Sequence, residues 1–160
     1  VRANQAQELS ESLATGERTS SLMFGIQWDL VMKHIETKQG KTQEELNRKS
    51  TDWGNYYNAQ FEITKGKYSE DYGENFKDIG TDGYTKGRDT ILLTTGATTR
   101  NATMNIYDLA GNVCEWTLEQ YTLSTNGSCT LRGGHYGNYG GDYPASDHAF
   151  FSTSYNYVGV

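Results

Sequence analysis

The sequence predicts an α+β domain in which loops form much of the mass. Helix-forming residues concentrate in the first forty positions. From Ser50 onward the chain consists of short segments separated by turn signals such as Asp71-Tyr72-Gly73 and Asn126-Gly127. A chain of 160 residues buries roughly 70% of its extended surface on folding, so residues 1–160 are expected to form a single domain with its own core.

The first predicted helix covers residues 3–14, ANQAQELSESLA, which are rich in helix formers. Gly16 follows where a C-terminal cap is expected. A short helical turn is predicted at residues 42–47, where Thr42 and Glu45 have the spacing of a capping box.

The second predicted helix covers residues 24–36, with Ser20 or Ser21 as its N-cap and Gly40 ending it. Its apolar residues recur at helical spacing, so we expect this stripe to pack into the core together with Trp28. The stripe consists of Ile26, Leu30, Val31 and Ile35. After this helix, residues 60–64 and 90–94 are candidate strands, although neither is long or strictly alternating.

Composition excludes several classes of function. A net charge of -6 with no cluster of Lys and Arg argues against nucleic acid as the main ligand. No apolar run approaches the roughly 18 residues of a membrane span, so no membrane insertion is expected. The chain begins at Val1 without a methionine, and we expect it to be the C-terminal piece of a longer protein.

Two cysteines, Cys114 and Cys129, are too few for a disulfide framework. They are either two free or buried thiols or the two ends of one bridge, and the sequence leaves both alternatives open.

The most informative motif is residues 107–117, YDLAGNVCEWT, followed after a spacer by Leu131-Arg132-Gly133-Gly134. This pair resembles the formylglycine-generating-enzyme and sulfatase-modifying-factor family, whose pattern is D-x-x-G-N-V-W-E-W, then R-G-G-S-W, and a closing G-F-R. The resemblance implies a C-type-lectin-like fold of the formylglycine-generating-enzyme type, with two helices plus short antiparallel strands. Residues 25–36 fall where the family has an E-A-E-W-E-Y-A helix. The departures are Cys114 and Tyr136 at two tryptophan positions, and Gly159 where the closing motif is expected.

The motif also has a physical interpretation. Gly111-Asn112 is a tight turn, and Trp116 after it is expected to anchor the core, with Glu115 on the opposite face of the strand. Asp108 and Glu115 are hard oxygen ligands that match family positions helping to hold a structural calcium ion. Alternatively, both carboxylates accept local backbone N–H bonds without any metal. No other cofactor is expected.

The oxidase chemistry of the resembled family requires a pair of cysteines after the Arg-Gly-Gly motif. Residues 133–160 contain no cysteine, and Cys114 and Cys129 both precede that motif. The three histidines show no metal-ligand spacing. We therefore expect that this chain is not an enzyme.

The last 28 residues, 133–160, have an unusual composition. They contain no Lys, Glu, Gln, Met or Trp, although these five types supply 32 of the preceding 132 residues. At equal usage this absence has a chance on the order of 1 in 2,000, so the bias is real. Tyr, Gly, Ser, Asn and Asp dominate instead, as in antibody contact loops.

The five missing types are those that a codon ending in a pyrimidine cannot encode. An Asn codon randomised at its adenines reaches the other fifteen types and none of these. The pattern resembles the variable proteins of diversity-generating retroelements, in which adenine-directed mutagenesis rewrites the end of a C-type lectin fold. The likeness extends to residues 21–31, 52–56, 92–96, 105–112 and 144–146, and it implies a gut bacterium or its phage as the source.

This resemblance divides residues 132–160 into scaffold and variable positions. Scaffold positions are Arg132-Gly133-Gly134, Tyr136, Gly140 and Pro144-Ala145-Ser146. Variable positions should face solvent, because only exposed side chains can be exchanged without a packing penalty of about 1 to 5 kcal/mol. These ligand-binding candidates are His135, Gly137, Asn138, Tyr139, Asp142, Tyr143, Asp147, His148, Ala149, Phe150, Phe151, Ser152, Tyr155, Asn156 and Tyr157. Phe150 and Phe151 could instead form a buried strand.

The leading hypothesis is a non-catalytic module that presents a diversified aromatic face to an unknown macromolecule, a cell-surface protein or glycan. The resemblance implies a phage particle or a bacterial cell surface as its location. Two alternatives are an enzyme of the sulfatase-modifying-factor class with altered chemistry and a structural component of a phage tail. The sequence leaves the ligand and the oligomeric state open.

Overall fold

The computed structural model describes residues 2–120, 129–151 and 158–159. In these residues the chain forms three α-helices, α1 (Ala3–Ser12), α2 (Gly25–Thr37) and α3 (Gln43–Asn47). They are followed by short strands, β1 (Phe61–Ile63), β2 (Lys67–Ser69), β3 (Lys77–Asp78), β4 (Tyr84–Lys86), β5 (Leu92–Leu93), β6 (Ala102–Thr103), β7 (Ile106–Tyr107), β8 (Cys114–Gln120), β9 (Cys129–Arg132), β10 (His148–Phe151) and β11 (Val158–Gly159). The predicted α+β class is confirmed, with a third helix in addition to the two implied by the resemblance.

The helix ends differ from the prediction in two places. Gly16 does not cap α1; it lies in a separate turn with a φ of 59°. Helix α2 is preceded by Phe24 rather than by a serine, and the Gln27 side chain accepts the Phe24 backbone N–H at 2.8 Å. This bond supplies one half of a capping box, so no serine is needed.

The predicted apolar stripe of α2 is only partly correct. Ile35 is buried and Val31 is half-buried, but Ile26 is 66% and Leu30 is 62% exposed. Trp28, Met32 and Ile35 share one face of a helix with 3.6 residues per turn, and this face packs against buried Trp53. Ile26 and Leu30 are four residues apart on the opposite face, and therefore they remain in solvent.

Local signals were more reliable for the short elements. The Thr42 hydroxyl accepts the Glu45 N–H at 3.2 Å, and the Glu45 carboxylate accepts the Thr42 N–H at 2.8 Å. The predicted capping box of α3 is therefore confirmed. Strands β1 and β5 lie inside the candidate segments 60–64 and 90–94.

The central sheet has the strand order β10-β9-β8-β11. Strands β8, β9 and β10 pair antiparallel, whereas β11 pairs with β8 in parallel, which departs from the expected antiparallel arrangement. Helix α1 packs its small residues Ala3 and Ala6 against Trp116 and Leu131 on one face of this sheet. Trp116 is 2% exposed, as expected for a core anchor.

Helix α2 lies on the other face of the sheet, where Arg132 connects it to the strands. The Arg132 side chain is 2% exposed, with Nη1 3.1 Å from Asp29 of α2 and Nη2 2.7 Å from Glu119 of β8. A buried guanidinium requires such partners, because an unpaired charge in the interior is costly. The arginine of the Arg-Gly-Gly motif thus fixes α2 relative to β8 and β9.

The turn at Gly111-Asn112 is the junction between the sheet and the loops. The Asn112 side chain accepts from the Asn55 side chain at 3.0 Å and from Leu93 N–H at 2.9 Å, and it donates to Leu93 O at 3.0 Å. Gly111 has a φ of 69°, and a Cβ there would lie 2.2 Å from Asn55 O. Glycine is therefore required at this close approach of two backbones.

The described part of the chain contains no α-helix with the length and apolar character of a membrane span.

Candidate functional site

The loop between β9 and β10 is attached to the rest of the domain mainly through its backbone. Residues from several distant parts of the chain hold main-chain groups of this loop. The bonds run from Tyr136 N–H to Asn112 O (3.0 Å), from Tyr57 N–H to Asn138 O (2.9 Å), from Gly140 N–H to Asn58 Oδ1 (3.2 Å), from Ala145 N–H to Ser50 Oγ (2.9 Å) and from Ser146 N–H to Leu46 O (3.2 Å). Main-chain bonds of this kind do not depend on which side chains the loop carries.

All but one of the predicted scaffold positions in and beside the loop are buried. Arg132, Gly133, Gly134, Tyr136, Gly140, Pro144 and Ala145 are all buried, and Ser146 is half-buried. Gly134 has a φ of 68°, and a Cβ there would lie 2.5 Å from Tyr143 O. The backbone carbonyl of Ala145 also accepts the Trp28 indole N–H at 3.0 Å.

The candidate ligand-binding residues have a different environment. Of the nine inside the described ranges that have a described side chain, none is buried. Tyr139, Asp142, Tyr143 and His148 are exposed, and His135, Gly137, Asn138, Asp147 and Ala149 are half-buried. Phe150 and Phe151 lie in β10 opposite Thr130 and Cys129. Ser152, Tyr155, Asn156 and Tyr157 lie outside the described residues.

The half-buried candidates are not fully exposed because most of them line a small pocket. This pocket has a volume of about 80 Å³. Its more exposed lining, called the wall below, consists of His135, Asn138, Tyr143, Asp147 and Ala149. Its buried lining, called the floor, consists of Cys114, Leu131 and Gly134. The structure therefore brings five candidates around one cavity.

The titratable groups of this pocket are shifted toward their neutral forms. Burial raises the pKa of the Cys114 thiol, and the nearby carboxylates add to that rise. Burial also raises the pKa of Asp147 and lowers that of His135. A desolvated cavity disfavours charge on each of these groups. The floor thiol is consequently protonated and a poor nucleophile.

Some residues next to the loop carry no signal in the sequence. The Tyr57 ring lies 5.5 Å from the Tyr139 ring, centroid to centroid, and Tyr57 is half-buried. Tyr57 is separated from the loop by about eighty positions, so only the folded chain reveals the contact. Likewise, no local pattern in β8 or β9 indicates that Cys114 and Leu131 end up beneath a cavity.

A protein-family model matches most of the chain. The model of the sulfatase-modifying factor enzyme 1-like domain matches residues 32–158, which is 127 of the 160 residues. The chain belongs to this family. The match begins in the middle of α2 and includes both the Gly111-Asn112 turn and the Arg-Gly-Gly motif. No curated protein and no solved structure matches the chain significantly.

Membership of the sulfatase-modifying factor family does not by itself supply a redox centre. Cys114 and Cys129 are free thiols, the first buried and the second half-buried, so they do not form a bridge. Among the described residues, His, Cys, Asp and Glu side chains do not gather in a group of three or more able to hold a metal ion. A metal shell in these ranges would therefore need ligands of other kinds as well, such as backbone carbonyls, side-chain amides or water.

Asp108 and Glu115, the predicted calcium ligands, each have one buried carboxylate oxygen without a hydrogen-bond partner among the described residues. Asp108 Oδ1 accepts the Asn101 side-chain N–H at 3.2 Å, while Asp108 Oδ2 and Glu115 Oε2 are buried and have no hydrogen-bond partner among the described residues. Local backbone bonds therefore do not account for both carboxylates completely. Burial raises the pKa of Asp108; burial and the Asp108 charge raise the pKa of Glu115 well above its usual range. Burying these carboxylates as anions costs free energy. A bound calcium ion would offset that cost, because its positive charge would interact with the unpartnered oxygens.

Proposed function

We propose that this chain is a non-catalytic ligand-binding module of the sulfatase-modifying factor family that presents exchangeable side chains on a fixed loop. Its ligand is a macromolecule, a protein or glycan at a cell surface. The module itself belongs to a phage particle or a bacterial surface and is diversified by a retroelement. Its C-type-lectin-like character is part of the same proposal.

The main-chain attachment of the loop is the observation that carries this proposal. Backbone groups at five positions between Tyr136 and Ser146 are bonded to framework residues at distances of 2.9–3.2 Å. The side-chain bonds of His135 and Asn138 are local: His135 Nδ1 accepts Gly137 N–H at 3.0 Å, and Asn138 Oδ1 accepts His135 N–H at 2.9 Å. Such a loop keeps its path when its outward side chains are exchanged.

The exposed aromatic residues support a macromolecular ligand. Tyr139 is 50% and Tyr143 is 42% exposed, and both lie on the same short loop. Tyrosine buries a large area at low entropic cost, and for this reason it is frequent in contact surfaces that recognise proteins. One patch of this size binds weakly, so several copies acting together would raise the apparent affinity.

The absence of covalent chemistry is also a proposal, and the pocket supports it. A catalytic thiol needs a low pKa and access to solvent. Cys114 is only 7% exposed, and burial raises the pKa of its thiol. Cys114 is therefore poorly suited to act as a catalytic thiol. A measurement of copper-dependent oxygen consumption with a thiol peptide provides the corresponding check, and turnover would contradict the proposal.

Two display libraries of equal size test the exchangeability of the loop. Both use an Asn codon randomised at its adenines. The first varies the exposed candidates Tyr139, Asp142, Tyr143 and His148, and the matched control varies the buried scaffold positions Arg132, Gly134, Tyr136 and Ala145. We expect most members of the first library to remain resistant to protease and to yield binders when selected on a model protein such as lysozyme.

The control library should lose protease resistance in most members, because substitutions at buried positions create cavities or strain. Equal loss of resistance in both libraries would contradict the proposal. Diversification itself is tested at the DNA level: a near-identical downstream copy of the region encoding residues 133–160, differing mainly at adenines and lying beside a reverse transcriptase gene, is expected.

A further inference from the structure

The pocket beneath the loop has a floor and a wall of different chemistry. The floor is apolar, because it consists mainly of the Leu131 and Cys114 side chains. Both side chains are buried: Leu131 is 1% and Cys114 is 7% exposed. A protonated cysteine behaves as a small hydrophobic side chain. The wall carries polar groups from His135, Asn138 and Asp147. An apolar floor inside a polar rim is typical of the anchor pockets in protein interfaces.

The volume of the pocket limits what can enter it. An apolar cavity of about 150 Å³ accommodates benzene, which has six carbon atoms. The present pocket has about 80 Å³, roughly half of that volume, and therefore holds about three carbon atoms. This size corresponds to the branched tip of a leucine or valine side chain and is too small to enclose a whole aromatic ring.

We infer that the pocket is an anchor site for one branched aliphatic side chain of a protein partner. The inference rests on the proposed ligand-binding function and names the chemistry that its target must offer. Cys114 is central to it, because a larger side chain at this position would occupy the space.

A cationic side chain is the main competitor, since Asp147 lies in the wall. The Asp147 carboxyl is half-buried, and its pKa is raised by that burial. A lysine ammonium would moreover have to lose its hydration against Leu131 and Ala149. An aliphatic group loses nothing by the same transfer, and it gains the burial of its own apolar surface.

The binding of single side chains can be measured by NMR on the whole ¹⁵N-labelled chain. The probes are the N-acetyl amides of leucine, phenylalanine and lysine. We expect the leucine amide to shift the backbone signals of Gly134, His135 and Ala149 in a saturable manner. The phenylalanine and lysine amides should bind at least about tenfold more weakly. Tighter binding of either one would overturn the inference.

Variants locate the binding within the pocket. Cys114→Leu should fill the floor and abolish the response to the leucine amide. Cys129→Leu is the matched control, because Cys129 lies on the adjacent strand and does not line the pocket, and it should bind as the wild type does. If Cys114→Leu does not fold, Ala149→Leu fills the same cavity from the half-buried wall. Retained binding in the filled variant would refute the site.

These outcomes are independent of the library experiment. Failure of the libraries with normal binding of the leucine amide would contradict the exchangeable loop and leave the pocket in place. Successful libraries without a response to the leucine amide would contradict the pocket and leave the binding function in place.

Discussion

Two tyrosines of the same loop, Tyr136 and Tyr143, are expected to respond very differently to truncation. Tyr136 is 7% and Tyr143 is 42% exposed. Truncating a buried aromatic side chain lowers the free energy of unfolding by about 3–5 kcal/mol, because apolar burial is lost and a cavity is left behind. Tyr143 keeps about half of its surface in water, so its truncation should cost about 1 kcal/mol, roughly half the value of one fully buried apolar side chain.

These free energies translate into melting temperatures. In a chain of this size 1 kcal/mol corresponds to about 2–4 °C. We therefore expect Tyr136→Ala to lower Tm by about 6–20 °C and Tyr143→Ala by about 2–4 °C. Circular dichroism melting at one pH and one protein concentration measures both, and urea unfolding gives the free energies directly. Similar losses for the two variants would mean that the outward face of the loop supports the fold.

Two further predictions concern the buried carboxylates. The pKa of Glu115 is raised by burial above its ordinary value of 4.5, so Glu115 stabilises the fold at low pH and this contribution is lost as the pH rises through the raised pKa. In Glu115→Gln, the free energy of unfolding should therefore fall less steeply with rising pH above about pH 4.5 than in the wild type. Urea denaturation at a series of pH values measures this, and superimposable pH profiles of the two proteins would contradict it. Calcium at about 100 times its dissociation constant should stabilise the wild type by about 2.7 kcal/mol. It should not stabilise the Asp108→Asn, Glu115→Gln double variant, and an unresponsive wild type would exclude the ion.

The parts of the fold that the sequence predicts well are those fixed by neighbouring residues. The capping box of Thr42 and Glu45 requires only a three-residue spacing, and it forms as expected. The orientation of α2 does not follow from spacing in the same way. Its sequence carries apolar residues on two faces, and the docking of Trp28 against distant residues decides that Ile26 and Leu30 remain outside.

The candidate site shows the same difference between features set by neighbouring residues and features set by distant contacts. The scaffold glycines and Tyr136 were assigned from motif positions, and they are buried. The pocket was not predicted, because its lining comes from β8, β9, β10 and the loop between β9 and β10, which only the folded chain brings together. Tyr57 is a similar case, since its contact with Tyr139 depends on a loop that returns to a distant part of the chain. Composition alone identifies a surface segment but not the surface that supports it.

The floor and the wall of the pocket differ in how freely their side chains can be exchanged. Cys114 and Leu131 pack in a common cluster with the helix α1 residues Ala3 and Ala6, so their exchange would disturb the interior. Four of the five wall residues, His135, Asn138, Tyr143 and Asp147, lie on the loop between β9 and β10, whose backbone is held by framework residues. Exchange of the wall can therefore alter which partner is recognised, while the floor stays constant. Under the proposed function, partners selected through walls that keep a small residue at Ala149, and so leave the cavity open, should share one feature, a small apolar group that reaches the floor.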